Sequence, residues 1–450
     1  MEMSAPLKEP LSLKKSIVEN ECRHVSMPGD DLAGNQVEHF EKDASREYSE
    51  SYQASISSQM SLNSTKPLDT ARSHKKLRRC CSLRKRWQTL LYLIVLLFIM
   101  DLIVIPGWFY TCPWIRRKSI YWNFWGSVSE QPSAYGFANG YSYSVLSERG
   151  IDLGVWYLAG NNTVAQPQLL PGGEPVIFLY LHGNKDNRAS HHSINLYRVL
   201  TDMNLSVMTF DYRGYADSSG VPTSTGFVQD ALAVYRNIRT KVKAKRIVVW
   251  GYSMGTGVAN PLLAELTRIG DVPAGLVLEA PFDHIANTLR SHVLTYPLRI
   301  LPCFEQVYLD SLRRDPATHL DSSEAVTHID TSLPILILHA KCDGVVPFAL
   351  GISLYKTLLR YRLEVMFNTT HIDRRNGNRI SNLSTTAEKR NSDADYDDTE
   401  GEVSSTMYNV MFKALKGERC YGHTQLQESP NLTGIVRQFV RLSIMDARAI

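Results

Sequence analysis

At 450 residues the chain exceeds the usual size of one domain, about 100 to 200 residues, so a large core with accessory segments is expected. A hydrophobic share of 44% and a charged share of 21% are typical of a globular protein and exclude a wholly disordered one. The net charge of +4 is small for this length and identifies no partner, and seven cysteines are too few for a disulfide-scaffold protein.

The N-terminal segment lacks the pattern of a folded domain. Residues 1 to 70 contain twelve serines, one phenylalanine and no tryptophan, with no sustained period of 3.6 or 2. Such a segment cannot bury enough apolar surface to fold, so we predict a disordered cytosolic tail over residues 1 to 86. The tail ends in a cluster of eight Lys and Arg residues between 72 and 86, which is typical of a membrane flank.

A long apolar segment follows directly, from 87 to 110. As a helix it would measure about 36 Å, which exceeds a hydrocarbon core of about 30 Å. Aromatic residues lie at both ends, as in membrane interfaces, and Asp101 is the one ionisable group. We predict a transmembrane signal-anchor helix, with a buried core helix as the alternative.

The charge bias across this span predicts its orientation. Eight basic residues precede the span, and three, Arg116, Arg117 and Lys118, follow it within a juxtamembrane linker predicted at 111 to 135. The bias predicts a cytosolic N-terminus and a lumenal or extracellular remainder. Most glycosylation sequons agree, because only Asn63 precedes the span. The sequons after it are at Asn161, Asn204, Asn368, Asn382 and Asn431.

The remaining chain, 136 to 445, alternates between short apolar runs and amphipathic stretches. The predicted strands are 175 to 181, 205 to 210, 246 to 251, 275 to 280, 333 to 339 and 407 to 412, and the predicted helices include 190 to 203, 224 to 241 and 254 to 269. This alternation predicts an α/β fold, a mostly parallel sheet with helices on both faces. Two segments interrupt it: 284 to 330, a possible lid, and 362 to 406, predicted to be a disordered insertion.

A nucleophile motif lies between a strand and a helix. Residues 251 to 255, GYSMG, fit G-x-S-x-G, follow the strand ending at 251 and open the helix at 254. The strained turn projects the serine hydroxyl from the sheet edge, and small neighbours leave room for it. Ser253 is therefore the predicted nucleophile.

A serine hydroxyl needs a base, and the base needs a carboxylate to hold it. Asp343 follows the strand at 333 to 339, and Asp283 is the rival acid after the preceding strand. His423 lies after the strand at 407 to 412 and before the last amphipathic segment. The other histidines fit this order less well: His191, His192, His339 and His371. The predicted partners are Asp343 and His423.

The oxyanion of an acyl-transfer intermediate needs two backbone donors. Met254, the residue after the nucleophile, supplies one amide, and Asn184 in the turn His182-Gly183-Asn184 supplies the other. We find no metal-ligand spacing, P-loop or dinucleotide fingerprint, so no metal, cofactor or nucleic-acid partner is expected. The sequence leaves the oligomeric state open.

Six segments of the chain form a recognisable set: LHGN at 181, FDYRGYADSSG at 210, WGYSMGTGVA at 250, LEAPF at 278, LILHAKCDGVVPF at 336 and YGHTQLQESPNL at 421. Together they resemble the lysophosphatidylserine lipase group of membrane-anchored α/β-hydrolase-domain proteins, the twelfth set. The resemblance covers roughly residues 130 to 445. It implies an α/β-hydrolase fold, one membrane span, a lumenal catalytic domain at the endoplasmic reticulum, and hydrolysis of lysophosphatidylserine and monoacylglycerols. Ser253, Asp343 and His423 match the family's triad.

The chain also departs from the family pattern. Lys185 and Asp186 replace small residues, Ala216 stands where glycine is usual, and Cys342 replaces an acidic residue. Cys342 and Cys420 lie on the loops that present Asp343 and His423, and the sequence leaves open whether they pair or stay free. Two other functions also remain open, an acyl thioesterase and a non-catalytic hydrolase-like ectodomain.

Overall fold

The computed structural model describes residues 70–123, 128, 131–161, 175–301, 303–375, 403–416 and 420–445. The chain divides into two units between Arg86 and Trp87. The predicted tail up to residue 69 lies outside the described residues, as does most of the insertion, residues 376–402.

A long helical segment opens the described chain. Helix α1 spans Thr70–Ile99, a π-helical turn covers Met100–Val104, and α2 spans Ile105–Thr111. Within it, Leu83–Thr111 is long and apolar enough to cross a membrane. A disordered tail was predicted up to residue 86, but residues 70–86 are helical, because this stretch lacks Gly and Pro and continues into the helix of the span.

The segment after the span belongs to the catalytic domain. Helix α3 spans Pro113–Ile120, and its buried Arg116 donates to Asp315 (2.9 Å) and to the carbonyls of Phe109 (2.9 Å) and Tyr110 (2.5 Å). A juxtamembrane linker was predicted here, over residues 111 to 135. The structure differs because one guanidinium satisfies two helix-end carbonyls and a carboxylate at once.

Nine strands of the described chain form one sheet in the order β1-β2-β4-β3-β5-β6-β7-β9-β8. They are β1 Gly140–Leu146, β2 Asp152–Leu158, β3 Ile177–Leu181, β4 Ser206–Phe210, β5 Ile247–Tyr252, β6 Gly275–Glu279, β7 Ile335–Ala340, β8 Val403–Met407 and β9 Val410–Leu415. Six neighbouring strands, β4, β3, β5, β6, β7 and β9, are parallel to one another. Strand β2 pairs antiparallel with β1 and β4, and β8 pairs antiparallel with β9. The predicted α/β-hydrolase fold is confirmed.

The central strands are buried on both faces. In β5, Val249 faces one apolar core and Val248 and Trp250 face the other, as the alternation of a pleated strand requires. Helices cover both faces: α4 His191–Asp202, α5 Ser224–Arg239, α6 Met254–Arg268, α11 Phe348–Arg375 and α12 Leu432–Met445. Two-sided burial explains why these strands read as continuous apolar runs.

The sheet edges differ from the prediction. The run at 407 to 412, predicted as one strand, contains the end of β8, a turn and the start of β9. The turn residues Tyr408 and Asn409 have positive φ angles of 49° and 60°, the geometry of a tight two-residue hairpin. Strands β1, β2 and β8 were not predicted; β1 and β8 are the edge strands of the sheet, and edge strands carry weak apolar patterns.

Two interruptions of the alternation are partly helical. Residues 284 to 330 contain short helices, α7 Ile285–Ser291, α8 Tyr296–Arg299, a π-helical turn Phe304–Leu309, α9 Asp310–Arg314 and α10 Ser322–Ala325. The insertion was predicted to begin at residue 362, but α11 continues to Arg375. Arg362 holds this part of α11 to the domain by donating to the Leu333 carbonyl at 2.7 Å and to the Tyr408 carbonyl at 2.5 Å.

The turn after β4 holds Ala216 in an unfavourable backbone conformation. Ala216 has a φ of 45°, in the left-handed region that glycine adopts readily. For a residue with a Cβ this conformation costs on the order of 1 kcal/mol or more. The departure from the family pattern therefore leaves the turn intact but strained.

Candidate active site

Ser253 lies on a sharp turn between β5 and α6. Its φ of 51° and ψ of −116° are strained for a residue with a side chain. The flanking glycines are required by close approach: a Cβ on Gly251 would lie 2.5 Å from the Gly255 carbonyl oxygen, and one on Gly255 would collide with the Leu181 carbonyl. The turn therefore has the geometry expected of G-x-S-x-G.

The histidine ring lies between the serine and the aspartate. His423 Nε2 is 3.0 Å from Ser253 Oγ, and His423 Nδ1 is 2.7 Å from Asp343 Oδ2. Because a carboxylate only accepts, Nδ1 carries the proton and Nε2 is free to accept from the hydroxyl. The structure thus brings together the three residues predicted from sequence.

Asp343 is held as a carboxylate by its surroundings. Its Oδ1 accepts from the amides of Val345 and Val346, both at 2.8 Å. Burial raises the pKa of Asp343, but the hydrogen bond from His423 and the other donors outweigh it and hold the pKa below its usual value. The acid is therefore ionised and fixed in orientation.

The loops carrying Asp343 and His423 are joined by a disulfide. Cys342 and Cys420 are bonded, with their Cα atoms 5.7 Å apart. Cys342 is adjacent to Asp343, and Cys420 lies three residues before His423. The pairing, which the sequence left open, therefore ties together two loops that are 78 residues apart in the chain.

The rejected candidates are held by other contacts, although His339 Nε2 lies 3.6 Å from Asp343 Oδ2. Asp283 is occupied by the His284 amide (2.7 Å) and by Ser353 Oγ (3.1 Å), so it holds a loop. His339 is buried, and its Nε2 contacts the Val346 carbonyl at 3.0 Å. The side chain of His371 lies outside the described residues.

A buried polar layer beneath the histidine was missed by the sequence analysis. Glu279, at the end of β6, accepts from Trp250 Nε1 at 2.8 Å and lies 3.5 Å from His192 Nε2. Burial raises the pKa of Glu279, partly offset by His192. The ring of His192 packs on Tyr252 (4.1 Å between centroids), whose hydroxyl donates to the His423 carbonyl at 3.3 Å. A carboxylate inside an apolar strand was the available signal.

Of the two predicted oxyanion donors, Met254 directly follows Ser253 in the chain, and Asn184 lies in the wall of the same cavity. Met254 begins α6, where the first amides have no intrahelical partner. The Asn184 side chain is occupied elsewhere, with Nδ2 donating to the Ile120 carbonyl (2.7 Å) and Oδ1 accepting from the Trp122 amide (3.2 Å). Both residues line the cavity that contains Ser253. Their role as donors stays a prediction.

A cavity of about 760 Å³ opens beside Ser253 and His423. Its volume lies within the range of about 300 to 1,000 Å³ typical of ligand sites. The walls are mainly aliphatic and aromatic, and the charged exceptions are Lys185 and Asp186. Residues from the 284 to 330 segment line much of it, including Leu289, Leu298 and Leu312. This segment, which we name the cap, therefore shapes the cavity, while its action as a lid stays a prediction.

One other cluster of the described chain has metal-binding residue types. Donor atoms of His284, His319 and Asp321 lie within 4.8 Å of one another. His284 Nδ1 accepts from the Ala286 amide (2.9 Å), so in the neutral ring Nε2 carries the proton. His319 Nδ1 lies 2.7 Å from the Arg313 carbonyl, which leaves its Nε2 unprotonated. One imidazole lone pair and one carboxylate fall short of the three or four ligands that zinc takes.

The predicted sequons are distributed over the surface. Asn161, Asn368 and Asn431 are exposed, and Asn204 is partly exposed at a turn with a φ of 62°. Asn382 lies outside the described residues. The exposed sites are compatible with glycan attachment.

Arg188 anchors the turn that presents Asn184. It is buried, forms an ion pair with Asp211, and donates to Asp217 Oδ2 at 2.7 Å. Burial raises the pKa of Asp211 to about 6 against the opposing effect of Arg188. The pair therefore compensates two charges inside the domain.

Arg188→Met is expected to lower the free energy of unfolding by about 3–5 kcal/mol, because it leaves the Asp211 carboxylate buried without its partner. Urea unfolding in detergent micelles, followed by tryptophan fluorescence, measures the effect. Arg268→Met is the matched control, since an ion pair exposed to water, such as the one with Glu265, contributes little to stability. Equal midpoints for the two variants would contradict the assignment.

Comparisons with known proteins agree with the geometry. A family model described as serine aminopeptidase, S33, matches residues 176–319. The lysophosphatidylserine lipase ABHD12 of Danio rerio is 38% identical over 291 residues, which cover 62% of this chain and 75% of that protein. The Bos taurus ABHD12 is 35% identical and covers 58% and 68%. Protein ABHD12B of Homo sapiens is 34% identical and covers 46% and 59%. The resemblance stated from the motifs is confirmed.

Solved structures with a similar fold are more distant. An α/β hydrolase from Vibrio vulnificus aligns with a TM-score of 0.43 at 18% identity, covering 55% of this chain and 82% of its own. Est1E from Butyrivibrio proteoclasticus with bound ferulic acid gives 0.42 at 14%, covering 68% and 99%. At this distance the likeness carries no argument about substrate.

Proposed function

Because the chain belongs to the ABHD12 family of α/β-hydrolases and is a carboxylic ester hydrolase, we propose that it cleaves the acyl ester of single-chain lipids. Lysophosphatidylserine is the leading substrate, since relatives at 33–38% identity carry that lipid in their names. Other lysophospholipids and monoacylglycerols follow, because they share the single chain and the glycerol ester.

One observation supports this function above all: His423 lies between Ser253 Oγ, at 3.0 Å, and Asp343 Oδ2, at 2.7 Å, beside a deep apolar cavity. In the proposed mechanism Ser253 Oγ attacks the acyl carbonyl while His423 Nε2 takes its proton. Asp343 holds the ring and stabilises the imidazolium. The amides of Met254 and Asn184 bind the oxyanion.

The second half of the reaction releases the acyl chain. The tetrahedral intermediate collapses, and His423 gives its proton to the departing glycerol oxygen. A water molecule, deprotonated by the same ring, then attacks the acyl-enzyme and releases the fatty acid, which restores the Ser253 hydroxyl.

The cavity supports a lipid acyl chain as the bound group. Each methylene transferred from water to such a cavity contributes about 0.8 kcal/mol. At its polar end Lys185 is exposed, with Nζ 4.3 Å from the centre of the Trp122 ring, and Asp186 lies beside it. A cation and an anion side by side suit a head group with a phosphate and an ammonium.

The direct test is fatty-acid release by the full chain in micelles from lysophosphatidylserine, lysophosphatidylcholine, lysophosphatidic acid and monoacylglycerol. We expect release from all single-chain esters and the highest kcat/KM with lysophosphatidylserine. Mass spectrometry quantifies the acid, and enzyme treated with a fluorophosphonate is the blank.

Release that the fluorophosphonate does not block would contradict a serine mechanism. Turnover of acyl thioesters but of no lipid ester would replace the lipase by a thioesterase.

We also propose a membrane topology with a cytosolic N-terminus and a lumenal catalytic domain, at the endoplasmic reticulum. The basic cluster before the span supports it. So does the disulfide between Cys342 and Cys420, because disulfides persist in oxidising compartments. Exposed sequons at Asn161 and Asn431 fit the same side.

This topology predicts glycan attachment in cells. Endoglycosidase H, which removes the high-mannose glycans of that compartment, should increase the electrophoretic mobility of the chain. Asn161→Gln combined with Asn431→Gln should reduce the shift. A chain whose mobility changes with neither endoglycosidase H nor a general N-glycanase would place the domain on the cytosolic side.

A further inference from the structure

The end of the span is packed against the catalytic domain. Most of the span is exposed, as for Ile103 at 62%, but Phe109 is 7% exposed and its ring lies 4.8 Å from that of Tyr308 in the cap. Arg116 stabilises this contact by donating hydrogen bonds to the Phe109 carbonyl and to the Asp315 carboxylate. The last turns of the span are therefore fixed on the cap.

The span also forms part of the wall of the active-site cavity. Ile105 and Phe109 line the same cavity as Ser253 and His423. Ile105 lies six residues before the end of α2 at Thr111, which is about 9 Å along a helix axis. In the proposed single-pass arrangement the last turns of the span lie within the leaflet, which would place this part of the cavity below the membrane surface.

The cap exposes an apolar surface beside this wall. We name Val293, Leu294, Tyr296 and Ile300 the cap patch; all four are exposed, and Ile300 is 84% exposed. Leu294 also lines the cavity. Arg299 stacks on Tyr296 at 4.1 Å, an aromatic and cationic pair suited to a membrane interface. Water-exposed apolar surface of this kind marks a contact with a membrane or a protein.

We propose that the cap patch lies in the leaflet crossed by the span, and that a single-chain lipid enters the cavity sideways from the bilayer, between Ile105 and the cap patch. The bilayer is the favoured occupant because the cap patch and the span border one cavity. The acyl chain then reaches Ser253 without crossing water. The proposal rests on the proposed lipid substrate and on the span.

Photo-crosslinking tests the contact without requiring catalysis. The full chain carries p-benzoylphenylalanine in place of Ile300 and sits in nanodiscs of alkyne-tagged phosphatidylcholine with a minor share of phosphatidylserine. The matched control places the probe at Ile269, which is also exposed but lies at the far end of α6, about 22 Å from its start beside Ser253. Lipid adducts at position 300 and none at 269 are expected; equal labelling would overturn the proposal.

Substitutions in the wall test the route. Ile105→Trp adds a bulky ring at the proposed entrance, while Ile103→Trp adds the same ring to the span at a position that does not line the cavity. For Ile105→Trp we expect the turnover of nanodisc lipid relative to that of a water-soluble acetate ester to fall about tenfold, with no fall for Ile103→Trp. Equal ratios in the two variants would overturn the sideways route. If the wild type turns over no lipid, the lipase function is refuted instead. Crosslinking then still tests whether the cap patch contacts the bilayer.

Discussion

Ser253→Ala is expected to lower kcat for lysophosphatidylserine by about 10⁶-fold and to abolish labelling by fluorophosphonates, because no other group can form the acyl-enzyme. The residual rate would come from the oxyanion donors and from binding alone. The loss does not reflect unfolding, since alanine keeps the strained φ of 51° at the turn. Fatty-acid release and in-gel labelling measure the two effects.

A buried serine outside the site is the matched control. Ser206 lies in β4, and its Oγ accepts from Tyr157 at 3.2 Å. Ser206→Ala removes about 1 kcal/mol of stability and leaves labelling intact. Labelling that persists in Ser253→Ala, or disappears in Ser206→Ala, would reject Ser253 as the nucleophile.

Asp343→Asn is expected to lower kcat by about 10⁴-fold while the fold is kept. The new Oδ1 still accepts from the amides of Val345 and Val346, but its Nδ2 donates toward His423 Nδ1. The imidazole proton then moves to Nε2, which can no longer accept from Ser253 Oγ. The pre-steady-state rate of acylation measures this loss of base catalysis directly.

The rival carboxylate supplies the comparison for this variant. Asp283→Asn should keep near-wild-type kcat, because the Asp283 carboxylate accepts from the His284 amide, Asn287 Nδ2 and Ser353 Oγ, and none of these groups belongs to the proposed triad. The double variant Ser253→Ala with Asp343→Asn should be no slower than Ser253→Ala alone, as for groups that act as a unit. Additive losses would place Asp343 outside the mechanism.

The elements predicted well are those whose pattern is local. The motif at 251 to 255 needed only its two flanks, a strand before it and a helix after it, and the structure has both. The central strands, buried on two faces, read as apolar runs and were found within about two residues. Edge strands such as β1 and the hairpin at 403–415 were missed or merged, because one exposed face dilutes the apolar signal.

The parts that could not be predicted depend on contacts between distant residues. Arg116 reads as one of three basic residues after a span, and its partner Asp315 is 199 residues away. Glu279 and His192 likewise become a buried pair only when the fold brings the side chains of β6 and α4 within 3.5 Å of each other. Residue spacing carries no information about such pairs.

The sequence by itself determined the α/β alternation, the apolar segment long enough to span a membrane, and the chain order of Ser253, Asp343 and His423, because periodicity and short motifs report what one element requires. Only the tertiary structure decided that Cys342 pairs with Cys420, that the segment after the span belongs to the domain, and that Phe109 and the cap enclose one cavity. The physical reason is that the apolar pattern of an element shows that one of its faces must be buried. Which other element covers that face depends on how the whole chain packs.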